Sequence, residues 1–140
     1  MINDQRNPFE SSQLTTILVV TDLKKSKSFY IEQLGAELFR EYSGSSVVLR
    51  FLENWILLVL PGGPSEDKPE IHFQNHKDKN IVSHSFTIRV NNCQESYKIL
   101  HARGVKFITP PFDWGEEIRC FFNDPDDHLF EISEYKFTSK

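Results

Sequence analysis

At 140 residues the chain has room for one domain and little more. With 39% hydrophobic and 26% charged residues, it is too apolar for a disordered chain and too mixed for a collagen, coiled-coil or mucin class. A net charge of −4 supplies no field that would gather a polyanion, so nucleic acid is not an expected partner. The longest apolar run, residues 55–60, falls far short of the about 20 residues that span a bilayer, and residues 1–6 lack a secretory leader's apolar stretch. Cys93 and Cys120 form neither a C-x-x-C pair nor a disulfide framework. A cytoplasmic protein that does not enter membranes is expected.

Residues 1–12 carry no periodic pattern and read as an arm. Residues 14–21 are rich in β-branched side chains and have strand length. Asp22 then offers an N-cap to a helix with Leu23, Tyr30 and Leu34 on its apolar stripe, and Gly35 suits its C-terminal end. Strands are predicted at 36–42, 45–52 and 55–60, with turns at Ser43-Gly44 and Glu53-Asn54. A Pro- and Gly-punctuated connector follows over 61–81.

The same order then returns. A strand at 82–90 leads to Asn92, a cap with Glu95 three residues on, and to a helix striped by Cys93, Tyr97 and Leu100 that ends at Gly104. Strands are predicted at 105–109, 117–122 and 128–134, the last two joined across Asp124-Pro125-Asp126-Asp127, with Pro110-Pro111 and a stiff loop at 112–115 before them. The two helix caps lie 70 residues apart, which makes this a duplication. The expected fold class is α+β: two βαβββ modules in tandem, at 13–60 and 82–135 of a single domain 13–140, forming a curved mixed sheet around a cleft.

On that frame the sequence resembles the vicinal oxygen chelate superfamily of glyoxalases, bleomycin resistance proteins and extradiol dioxygenases. The residues that carry the resemblance are Val19-Val20-Thr21-Asp22-Leu23, Ser28-Phe29-Tyr30, Leu34-Gly35, residues 100–105, and Asn123-Asp124-Pro125-Asp126-Asp127 running on to Glu131. The resemblance implies metal ligands at the start of each module's first strand and on each module's last strand. Those positions hold Thr15, Ser85, an all-apolar run at 55–60, and Glu131. One carboxylate with two hydroxyls is a poor set for a divalent transition metal, which takes several imidazole, thiolate or carboxylate donors. No metal or other cofactor is therefore expected; the alternative is a divalent ion held by Glu131 with His84 recruited through a shifted register.

Strand alternation puts Thr15 and Ile17, with Ser85, Thr87 and Arg89, on the cleft side, and Glu131 beside them as the candidate catalytic proton shuttle. Arg89 has two readings, an anchor for an anionic ligand or a partner of Glu131. Trp114 either closes over a planar ligand or caps the core. His72 and His76 are spaced for a helix face but sit in the connector, His101 suits a helix C-terminus, and His128 is expected at the surface beside a turn. Cys93 reads as inert core packing, although its place after a cap would activate an exposed thiol. These expectations describe a protein, homodimeric by the resemblance, that binds a small organic molecule without the usual metal; a glyoxalase-like lyase, isomerase or dioxygenase is the alternative.

Overall fold

The computed structural model describes residues 4–136. Residues 1–3 of the expected arm and 137–140 of the expected domain lie outside the described residues. The chain runs β1 (Thr15–Val19), α1 (Leu23–Ser28) continued by a π-helical turn (Phe29–Gln33), β2 (Glu37–Tyr42), β3 (Ser46–Phe51), β4 (Asn54–Val59), then β5 (Phe86–Arg89), α2 (Cys93–Ala102), β6 (Phe112–Asp113), β7 (Glu117–Asn123) and β8 (Leu129–Tyr135). One sheet has the order β1-β4-β3-β2 and the other β5-β8-β7-β6. In each the first strand pairs parallel with the last and the remaining pairs are antiparallel, so the two βαβββ modules share one topology. No helix among the described residues is long and apolar enough to cross a membrane.

The caps behave alike. Asp22 and Asn92 are both extended, and each accepts a hydrogen bond from the backbone amide three residues on, Lys25 and Glu95, at 3.0 Å. Glu134 of β8 adds a carboxylate at the start of α2, accepting from the Cys93 amide at 2.8 Å. The first helix departs from the single α-helix predicted: Leu34 N–H reaches back to Phe29 O, and this wider turn buries the neighbours Phe29 and Tyr30 together.

Those two rings join the modules. Phe29 lies 6.5 Å from Phe122 and Tyr30 6.1 Å from Phe130, while Phe122 and Phe130 stack at 5.2 Å. One apolar cluster thus runs through both modules on the helix-bearing side, with Leu18, Leu49, Leu58 and Ile132 in it. At its centre is a polar exception. The Asp124 carboxylate, with no exposed side-chain surface, accepts from the Tyr30 hydroxyl at 2.6 Å, pairs with His128 Nδ1 at 2.7 Å, and takes the backbone amides of Asp126 and His128. Asp126 in turn accepts from the Thr21 amide and hydroxyl. The expected surface role of His128 is therefore corrected: the turn folds back under the first helix, and the imidazole is buried.

Three strand boundaries also differ from expectation. Residues 82–85 are not in a strand, so pairing starts at Phe86. Residues 105–109 make only a bridge from Phe107 to Phe122, because Pro110-Pro111 lack amide donors; the third strand forms after them, where a loop was expected, at Phe112–Asp113. The β3–β4 turn is Leu52-Glu53 rather than Glu53-Asn54, since Asn54 pairs with Phe51. Both turn residues have positive φ, 50° and 62°, which a two-residue hairpin turn requires and which suits Asn-Gly far better.

Burial pulls the His128 pKa down, but the hydrogen bond and charge of Asp124, with Asp126 and Asp127 beyond, leave it raised above 6.5. Its contribution to stability is complete below about pH 6.5 and fades as pH rises through the raised folded value. Urea titrations across pH are expected to show that fading in the native chain and to lose it in His128→Ala. Asp124→Ala, which removes the partner of a buried charge, is expected to cost about 3–5 kcal/mol. Replacing Leu52-Glu53 by Asn-Gly is expected to raise the urea midpoint, by about 1–2 kcal/mol of stability, as it relieves left-handed strain.

Candidate functional site

Each sheet hides one face under its helix and leaves the other open. In module one Leu18, Val20, Val47, Leu49, Ile56 and Leu58 point to the helix, so alternation turns Thr15, Ile17, Val48, Trp55 and Leu57 to the open face. That face is apolar and incompletely covered, with Ile17 45% exposed. Trp55 stands 4.9 Å from Phe39 in an edge-to-face contact and carries the Arg50 guanidinium at 4.6 Å. In module two Cys120, Phe122, Phe130 and Ile132 point to the helix, and the opposite face carries Thr87, Arg89, Glu117, Arg119 and Phe121 together with Glu131 and Ser133, which lie buried beneath them.

The duplicated register shows which residues are counterparts. Ile17 pairs with Leu57 in the first sheet, and Thr87, 70 residues after Ile17, pairs with Glu131 in the second. Leu57 therefore occupies in module one the place that Glu131 occupies in module two. Thr15 and Ser85 are counterparts in the same sense; Thr15 opens β1, whereas Ser85 lies exposed just ahead of β5. A hydrocarbon, two hydroxyls and one carboxylate do not make a donor set for a divalent transition metal. Among the described residues no group of three or more His, Cys, Asp and Glu could hold a metal ion.

Glu131 is largely buried and accepts the Thr87 hydroxyl's hydrogen bond at 2.6 Å. Its other oxygen lies 3.7 Å from Arg119 Nε, too long for a hydrogen bond but close enough for attraction. Arg119 also stands over the rings of Trp114 at 5.3 Å and Phe121 at 5.8 Å. Arg89 does not pair with Glu131. It donates to Ser133 Oγ at 2.7 Å and to the Tyr135 hydroxyl, stacks on the Tyr135 ring at 3.9 Å, and lies 3.3 Å from Glu117. The alternation along β5 puts it two residues beyond Thr87, opposite Ser133 rather than Glu131.

Trp114 is 61% exposed at the tight β6–β7 connection, its amide bonded to Glu117 O and its ring 4.6 Å from that of Phe112. It does not cap the core. With Glu116, Glu117 and Tyr135 it borders a depression of about 470 Å³. Arg119, Glu117, Phe121 and Tyr135 share this face with Thr87 and Glu131, and sequence reasoning did not place them there. The signal was available: buried Cys120 and Phe122 fix the alternation of β7 as surely as Phe130 and Ile132 fix that of β8.

The remaining candidates lie elsewhere. With residues 82–85 outside any strand, His84 has no register to shift; it leans edge-on against Phe86 and, with His76 and His128, lines a cavity of about 80 Å³. Cys93 and Cys120 are both buried; burial pushes the Cys93 thiol up, and burial with the neighbouring Cys93 pushes Cys120 up to about 12, so neither is an activated nucleophile.

The family model of the Glyoxalase/Bleomycin resistance protein/Dioxygenase superfamily matches residues 12–132. The chain belongs to that superfamily. Solved structures similar to this superfamily member include a glyoxalase/bleomycin resistance protein/dioxygenase from Nocardioides (19% identity, 99% of this chain and 90% of that one, TM-score 0.71). Others are lactoylglutathione lyase from Agrobacterium tumefaciens (17%, 89% and 93%, 0.66) and the fosfomycin resistance protein FosX from Listeria monocytogenes (23%, 90% and 94%, 0.64). At these identities the likeness is one of fold, tandem βαβββ modules forming a curved mixed sheet.

The Ser133 hydroxyl holds the Glu117 carboxyl below the ordinary 4.5, against burial and with help from Arg119 and Arg89. In a carbon-detected NMR titration Ser133→Ala is expected to move the Glu117 midpoint upward.

Proposed function

We propose that this glyoxalase-superfamily chain binds a small, partly polar organic molecule on its open sheet faces without a metal ion, as a cytoplasmic homodimer. The observation that carries the reading is the inequality of Leu57 and Glu131, counterparts in the duplicated register. One module contributes hydrocarbon where the other contributes a carboxylate, so the site matches a guest with an apolar side and a hydrogen-bonding side.

The residues divide the work accordingly. Among the described residues the Arg119 guanidinium makes no hydrogen bond, only longer-range pairs with Glu117 at 3.6 Å and Glu131 at 3.7 Å, and it takes a carboxylate, phosphate or other acceptor of the guest, bidentately. Glu131, its second oxygen turned toward Arg119, accepts from a guest donor. Phe121 and Trp114 offer ring faces, and Trp114, exposed on a tight connection, closes over a planar part. Thr15 and Ile17 supply the opposing wall, with Ser85 at the rim. Thr87 holds Glu131 in place, and Arg89 holds the outer half of the face through Glu117, Ser133 and Tyr135. A second copy of the chain packs beside the wall of Thr15 and Ile17 on module one, where Leu38 and Phe39 of β2 are half exposed.

A second reading makes Glu131 a general base in a glyoxalase-like isomerase or lyase; its burial and its 2.6 Å bond to Thr87 favour it. Glu131→Gln separates the two, since it abolishes turnover but spares affinity in an enzyme and weakens binding in a carrier.

Elemental analysis of untagged protein is expected to find Zn, Ni, Mn and Fe well below one equivalent; near-stoichiometric metal overturns the metal-free reading. In a thermal-shift screen of small organic acids and their neutral analogues, Arg119→Ala is expected to abolish the response to the acids selectively. An unchanged response would remove Arg119 from the site.

A further inference from the structure

On the helix-bearing side, at the seam between the modules, lies a cavity of about 480 Å³ that takes no part in the open sheet faces. That volume is in the range of small-molecule sites. Its apolar lining includes the rings of Phe29 and Phe107 and Pro125. Three lysines border it from three separate stretches of chain: Lys25 from α1, Lys79 from the connector and Lys106 from the segment after α2. Among the described residues none of the three forms a salt bridge.

Two carboxylates also line the cavity and offset part of this charge, leaving the lysines in excess. Asp124 keeps its charge but is buried against the Tyr30 hydroxyl and His128, with no exposed side-chain surface, so at the opening three ammonium groups stand against the one accessible carboxylate of Asp127. The walls are held in place. Gln33 Nε2 donates to Arg103 O at 2.7 Å and Arg103 Nη1 donates to Gln33 O at 3.1 Å, so the end of the first helix and the end of the second are tied reciprocally beside the opening. Gly104 keeps that approach close: a Cβ there would stand 3.1 Å from Gln33 Nε2.

We infer that this cavity is a second ligand site, for a small organic anion with a flat apolar body, an aryl or heteroaryl carboxylate, sulfonate or phosphate. The rings and proline take the apolar body, and the lysines, each weak alone at an exposed rim, act together on one anionic group. A guest there touches both modules, so its binding stabilises the junction by mass action. The inference is independent of what binds the sheet faces.

The test uses the full chain with naphthalene-1-sulfonate as the probe and 1-naphthalenemethanol as its uncharged counterpart, followed by amide chemical-shift titration. The sulfonate is expected to shift the amides of Phe29, Gly104, Lys106, Phe107 and Asn123 saturably. Its affinity is expected to exceed that of the alcohol by about tenfold or more, and the excess to shrink in high salt. In the Lys79→Ala, Lys106→Ala double variant, whose changes lie at exposed positions, the preference for the anion is expected to vanish while the unliganded melting temperature stays put. Lys25→Ala is expected to reduce it partially. Equal affinity for the two probes, shifts confined to the sheet-face residues Ile17 and Phe121, no saturable binding, or a preference that survives the double variant would each overturn the inference.

Discussion

The arrangement of the two modules depends on one buried carboxylate. Asp124 collects a phenol from the first helix, an imidazole from its own turn and two backbone amides, and so converts a surface loop into a joint between halves of the chain. A carboxylate without exposed surface is costly unless its lone pairs are all occupied, and here they are. The aromatic stack of Phe29, Tyr30, Phe122 and Phe130 supplies the apolar burial around it. Neither part suffices alone: the rings set the distance between the modules, while the carboxylate selects one orientation.

With much of the helix side committed to that joint, each sheet turns its other face away from it. The two open faces descend from the same pattern but have diverged in chemistry, one apolar around Ile17 and Leu57, the other polar around Thr87 and Glu131. The polar side is internally braced rather than loose. Arg89 is hydrogen-bonded to Ser133, Glu117 and Tyr135, whereas Arg119 stands at the longer distances of 3.6 and 3.7 Å from Glu117 and Glu131.

Much of this was legible from residue order. The caps Asp22 and Asn92, the turn glycines and the alternation of β-branched and polar residues specify both modules, and the 70-residue spacing of the caps ties them to one topology. The open-face position of Glu131 also follows from its neighbours Phe130 and Ile132. What could not be read was partnership across long separations. Tyr30 and Asp124 are 94 residues apart, and nothing local in the turn at 124–127 says that a helix will cover it and bury His128. Alternation gave the face of Arg89 but not its partner, which depends on the stagger between β5 and β8. At 105–109 the local preference for strand was real, and one bridge forms; the pair of prolines then displaced the ladder to Phe112–Asp113.

Of the four edge strands, β2 and β6 end the antiparallel side of each sheet and face different hazards. β6 is only two residues long and offers little backbone to a passing chain, whereas β2 has six residues, all exposed, with Leu38, Phe39 and Tyr42 among them. Such an edge invites intermolecular ladder growth. The register shift between Leu38 and Arg40 interrupts its hydrogen-bonding row, and Glu37, Arg40 and Glu41 put charge along it. That irregularity is thus a safeguard of solubility: an edit that smoothed β2 into a regular strand would leave the fold intact and hand the protein a template for fibre assembly.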